Sequence, residues 1–137
     1  MFVDALCMQL VLHPERFEVI VTNNMFGDIV SDLAAALQGG LGMAASGSIN
    51  PQTGHGLFEP VHGSAPKYAG KDVANPLGAI LTAGLMYEHM KMTDEARLIE
   101  GAVRKSIKEN QTTRDLGGNL GTRAVGDFVA RTILSAG

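Results

Sequence analysis

The 137-residue sequence predicts an α/β fold that holds parts of two lobes. Three observations lead there. A β-branched run, Phe17 to Thr22, lies between two apolar helical patterns, which is the alternation of an α/β domain. A Gly-, Ala- and Ser-rich stretch, Leu41 to Asn50, follows with no helical period and leads through a turn to a second short strand. Three helices with start signals then close the chain. The expected division is a first piece over 1–40 and a second over 41–137.

The elements follow in order. Phe2 to Leu12 reads as a helix with Val3, Leu6, Cys7, Leu10 and Val11 on one side, ended by His13-Pro14. Phe17 to Thr22 reads as a buried strand. Asn23-Asn24 breaks it, with Asn24 as the expected N-cap of a helix that closes at Gly39-Gly40. Leu41 to Asn50 reads as a close-packed strand or a crossing segment between lobes. Pro51 to Gly56 is a turn. Leu57 to Val61 is a short strand, with Pro60 at an edge or a strand end. Asn75-Pro76 opens a helix to about Met90, Thr93-Asp94-Glu95 opens another to about Glu109, and Thr122 caps the last.

Composition narrows the function. Hydrophobic residues make up 45% and charged residues 18%, enough apolar side chains for a core. A net charge of −3 with no basic cluster argues against a nucleic-acid partner. No stretch is long and apolar enough to span a membrane. Cys7 is the single cysteine, so no internal disulfide forms, which fits a reducing cytoplasm. Its apolar surroundings make it a small core residue rather than a nucleophile.

Two stretches carry chemistry. Asp28 and Asp32 lie four apart, so both carboxylates share a helix face and repel unless a cation sits between them. Hard ions such as Mg²⁺ or Mn²⁺ suit such oxygens. A solvated polar stripe is the competing reading. Asp4, in the first turn of its helix, is explained by the helix dipole alone. The second stretch, His62 to Lys71, is a loop dense in donors. Its glycines allow close backbone approach, and Ser64, Lys67, Tyr68 and Lys71 suit phosphate and ribose. An ordinary exposed loop is the alternative. Neither G-x-G-x-x-G nor a Walker pattern occurs.

Three blocks then stand in order: Asn24-Met25-Phe26-Gly27-Asp28-Ile29-Val30-Ser31-Asp32, Glu59-Pro60-Val61-His62-Gly63-Ser64-Ala65-Pro66 and Asp72-Val73-Ala74-Asn75-Pro76. With them the chain resembles the C-terminal portion of the β-decarboxylating dehydrogenases, the isocitrate, isopropylmalate and tartrate family. The resemblance implies that family's truncated fold and a non-Rossmann nucleotide site. It implies oxidative decarboxylation of a small-molecule 2-hydroxy acid with NAD or NADP and Mg²⁺ or Mn²⁺. It assigns Asp4, Asp28 and Asp32 to the metal, Asp4 serving the neighbouring subunit's site. It assigns Glu59, His62, Gly63, Ser64, Ala65, Lys67, Tyr68, Asn75 and Asp115 to the cofactor. It also implies a homodimer through residues 2–12 and 25–38. Lys67-Tyr68 resembles the NADP-using members, Arg114-Asp115-Leu116-Gly117-Gly118 the NAD-using branch, and the balance leans to NAD.

The resemblance also carries an expected gap. Members run to about two or three times this length, beyond one usual domain. Their catalytic lysine and tyrosine and their carboxylate-binding arginines match positions upstream of Met1. The chain is thus expected to be a truncated product or part of a longer enzyme. The alternative function is a non-catalytic cofactor-binding or dimerisation piece with no turnover of its own.

Overall fold

The computed structural model describes residues 1–136. Two compact units divide the chain, one spanning Met1–Gly40 and the other beginning at Leu41.

In the first unit, helices α1 (Val3–Leu12) and α2 (Asn24–Leu37) pack on each other and bury Leu10, Val30 and Ala35. Pro14–Arg16 forms a single 3₁₀ turn after α1, because proline bars the preceding residue from helical geometry. The N-cap of α2 is Asn23, one residue before the expected Asn24. Its backbone is extended (ψ 167°), and its Oδ1 accepts from the Phe26 N–H at 3.1 Å. Asn24 becomes the first helical residue and donates to Asp28 Oδ2 at 3.3 Å. The helix stops in a Schellman arrangement: the Gly40 N–H reaches Ala35 O at 2.8 Å and the Gly39 N–H reaches Ala36 O at 3.4 Å.

The expected buried strand at Phe17 to Thr22 does not form. The segment is free of helix and makes no ladder, and Val19 and Val21 are 83% and 93% exposed. A β-branched run supplies the propensity, but a strand exists only against a neighbour that takes its N–H and C=O groups. The first unit offers none.

In the second unit a 3₁₀ turn at Leu41–Met43 leads into β1 (Ala45–Ile49), which pairs antiparallel with β2 (Gly56–Pro60). The register runs from Ala45 opposite Pro60 to Ile49 opposite Gly56, so Pro60 ends its strand as expected. At the hairpin tip Asn50 Oδ1 accepts from the N–H groups of Gln52 and Thr53. Helices α3 (Leu77–His89), α4 (Thr93–Lys108) and α5 (Thr122–Ala136) complete the unit. The hairpin and α4 pack on α3, and α5 packs on α4. The core is Met43, Leu77, Ala102, Val103, Val125 and Val129.

Two helix starts differ from expectation. The α3 helix begins at Leu77, and Asn75 caps it from two residues upstream, Oδ1 accepting from the Leu77 N–H at 2.9 Å. The α5 helix is capped from a distance: Asp72 Oδ1 accepts from the Arg123 N–H at 2.9 Å and Asp72 O from the Thr122 N–H at 3.1 Å. The carboxylate outcompetes a hydroxyl for the Arg123 N–H, and the Thr122 hydroxyl instead donates to Ala74 O. Asp72 adopts φ 54° to make this reach.

Candidate functional site

The first unit places Asp28 and Asp32 one turn apart on α2 and Asp4 in the first turn of α1, all three exposed. Asp4 Oδ1 accepts from the next residue's N–H, and Asp28 takes the single bond from Asn24. Among the described residues no three His, Cys, Asp or Glu side chains converge within one chain. The donor chemistry of Asp28 and Asp32, hard oxygens facing solvent, suits Mg²⁺ or Mn²⁺. A single chain contributes this pair and not a set of three.

The second unit carries a cleft of about 740 Å³, a size suited to a small-molecule ligand. Of the residues expected at a cofactor, His62, Gly63, Ala65, Tyr68, Asn75 and Asp115 line it. Glu59, Ser64 and Lys67 stand outside that lining. Glu59 lies on β2 opposite Ser46, and the Lys67 ammonium rests over the Tyr68 ring, 4.8 Å from its centroid. Leu41, Gly42, Val73, Ala74 and Arg114 also line the cleft and were absent from the expected set.

Local folding explains the walls. Ala65 turns through the left-handed region (φ 40°) into the 3₁₀ turn Pro66–Tyr68, which sets Tyr68 at the rim. The floor is formed where the turn at Leu41–Met43 presses on the start of α3. A Cβ on Gly78 would come 2.9 Å from Gly42 O, and one on Gly42 would come 2.9 Å from the Asn75 Cβ and 3.0 Å from Asp115 Oδ2.

Two side chains give the cleft polarity. His62 Nδ1 lies 3.0 Å from Gly63 O, a bond only an Nδ1–H can donate. In that tautomer Nε2 is a bare acceptor, and it is buried with no partner. A buried acceptor without a donor is costly unless a ligand N–H or water supplies one. Across the cleft the Asn75 carboxamide donates from Nδ2 to Asp115 Oδ2 at 2.9 Å while Oδ1 takes the Leu77 N–H. One N–H and one lone pair of that amide remain for a ligand. The cleft therefore suits a flat, nitrogen-rich group such as an adenine, with Arg114 nearby for an anion.

Comparison with known proteins gives one answer. A family model described as isocitrate/isopropylmalate dehydrogenase matches residues 1–129. The chain is 55% identical over 129 residues to a 3-isopropylmalate dehydrogenase of Archaeoglobus fulgidus, covering 94% of this chain and 39% of that protein. It is 50% identical over 133 residues to an isocitrate/homoisocitrate dehydrogenase of Thermus thermophilus, covering 97% and 39%. The crystal structure of an isocitrate dehydrogenase from Methylococcus capsulatus superposes with a TM-score of 0.90 at 45% identity, covering 97% of this chain and 40% of that one. The chain thus spans about 39% of the length of the curated relatives it matches.

Proposed function

Because the chain belongs to the isocitrate/isopropylmalate dehydrogenase family, we propose that it supplies the cofactor- and metal-binding share of an oxidative decarboxylation. The substrate class is a small 2-hydroxy acid of the isopropylmalate or isocitrate type. The second unit binds the adenosine portion of a nicotinamide dinucleotide in the cleft between His62 and Asp115. Asp28 and Asp32 bind Mg²⁺ or Mn²⁺, with Asp4 of a second copy completing the set. The observation that carries the reading is the His62 Nε2, a buried acceptor in that cleft with no donor of its own.

Bound there, the dinucleotide would supply the hydride acceptor and the ion a Lewis acid for the substrate's oxygens. The chain's residues do the holding. His62 Nε2 accepts from an exocyclic amine, and Asn75 offers its free N–H and lone pair to the ring edge. The bare backbone at Gly42 leaves room for the Asn75 and Asp115 side chains, Tyr68 stands at the rim, and Lys67 stands outside it, at the ribose end. Asp28 and Asp32 leave positions around the ion for the substrate's hydroxyl and carboxylate. We place the activity in the cytoplasm, with no nucleic-acid or membrane partner; no helix among the described residues is long and apolar enough to cross a membrane.

On its own the chain binds and does not turn over, since it spans about 39% of its relatives' length. Calorimetry with NAD, NADP and Mn²⁺, beside a turnover assay with isopropylmalate and isocitrate, tests both halves. The expected result is dinucleotide binding, NAD somewhat tighter than NADP, and no turnover. Robust turnover would refute the binding-only statement, and a strong NADP preference would reverse the cofactor order. No dinucleotide binding at all would remove the function proposed for the cleft.

A further inference from the structure

Thr113 is fully buried and lies outside the lining of the cleft, yet its hydroxyl donates to Asp115 Oδ1 at 2.5 Å. Asp115 itself is exposed, so without that bond only the Asn75 amide would orient its carboxylate. Its other oxygen takes the Asn75 Nδ2. From the opposite side the Leu77 N–H holds Asn75 Oδ1. A separate constraint comes from residue 42. Its missing side chain is the space the pair occupies, with Asn75 Nδ2 only 3.1 Å from where a Cβ would sit. The amide is therefore polarised at both ends and hemmed in along its face.

We propose that Thr113 is a positioning residue that acts through Asp115 to hold the Asn75 carboxamide in one orientation, so that the cleft selects among purines by the order of donor and acceptor on the base edge. The inference rests on the reading of the cleft as an adenine-nucleotide site. A locked amide presents its donor and acceptor in one order. Adenine's six-membered edge carries an amine donor beside the N1 acceptor. Hypoxanthine carries the reverse, a carbonyl acceptor beside an N1–H donor. A free amide would flip and serve both; a locked one serves one. The orientation is fixed by the network and not by the amide itself, because oxygen and nitrogen of a carboxamide are alike in shape.

The test is equilibrium binding of AMP and IMP to the 137-residue chain and to three variants, each checked for native circular dichroism. The unaltered chain is expected to favour AMP by about tenfold, the discrimination one well-placed bidentate amide contact gives. Thr113→Val keeps the shape and removes the donor. It should weaken AMP about fivefold, the size of an ordinary net hydrogen bond, and bring IMP closer to AMP. Thr113→Ser restores the hydroxyl and should restore the ratio, which filling of the core alone would not. If Thr113→Val does not fold, Asp115→Ala, at an exposed position, carries the same expectation. A ratio unchanged in Thr113→Val, or in Asp115→Ala where that stands in, overturns the inference while the nucleotide site survives. Equal binding of AMP and IMP by the unaltered chain overturns the inference and the His62 contact with the amine together, while a nucleotide site remains. No AMP binding by the unaltered chain overturns both together.

Discussion

Single side chains in this protein separate cleanly by what they would cost to remove. Leu77 is fully buried at the centre of the second unit's core. Leu77→Ala should cost about 2–5 kcal/mol in urea unfolding, because the transfer loss and the cavity add. Asp28 is exposed and has one weak intrachain bond, so Asp28→Asn should leave stability within about 0.5 kcal/mol. Its Mn²⁺ affinity should fall at least about tenfold, since even groups that only orient a ligand carry that much. Calorimetry showing an unchanged affinity would take Asp28 out of the metal set. Gly42 and Thr113 show where residue-by-residue reading stops. The sequence offered His62, Tyr68, Asn75 and Asp115 as polar groups of suitable type, through family resemblance. Gly42 matters by lacking a side chain beside Asn75, thirty-three positions away in the chain numbering. Thr113 matters by a hydrogen bond that its buried hydroxyl makes to the cleft wall. Neither leaves a periodic or compositional mark.

Elements were legible to the extent that their stability is local. The α2 stop at Gly39 and Gly40 was readable because a Schellman end needs only one residue of positive φ just past the helix, which Gly39 supplies. The β2 boundary was readable because proline cannot donate within a ladder. Starts were misplaced where the capping group was ambiguous or remote. Asn23 and Asn24 are chemically equal caps, and backbone geometry chose the first. The cap of α5 arrives from Asp72, which sequence distance conceals. These assignments set measurable costs. Asn23→Ala should destabilise α2 by about 1 kcal/mol, seen as faster amide exchange in that helix. Asp72→Ala removes the carboxylate cap and the preference for a left-handed residue together. It should cost about 1–2 kcal/mol and loosen the tie between α5 and the wall of the cleft. Exchange at Arg123 unchanged in that variant would rule out the remote cap.

At the scale of the molecule, the α/β class and the membership of the family agree with the fold expected from the three sequence blocks. The strand at Phe17 to Thr22 was the part the sequence could not settle, because a strand's existence depends on what lies beside it. The helices of the first unit expose apolar side chains on both elements: Met8, Val11 and Leu12 on α1, Met25, Ile29 and Leu37 on α2. Such a face asks for burial against a second copy, the proposed dimer through residues 2–12 and 25–38. Sedimentation across concentration should reveal reversible association, and Ile29→Glu with Leu37→Glu should suppress it without unfolding the second unit. A monomer at the highest concentrations would argue against that pairing.

The run from Phe17 to Asn23 has a further consequence for anyone handling this chain. Proteases bind their substrates drawn out straight, with main-chain amides free to pair with the enzyme's own cleft, and Glu18 to Thr22 already meet that requirement. Val19 and Val21 would need no local unfolding to be seized. The first nick in a limited digest should fall there, cutting α1 away from α2 while the hairpin and α3 to α5 persist as a resistant fragment.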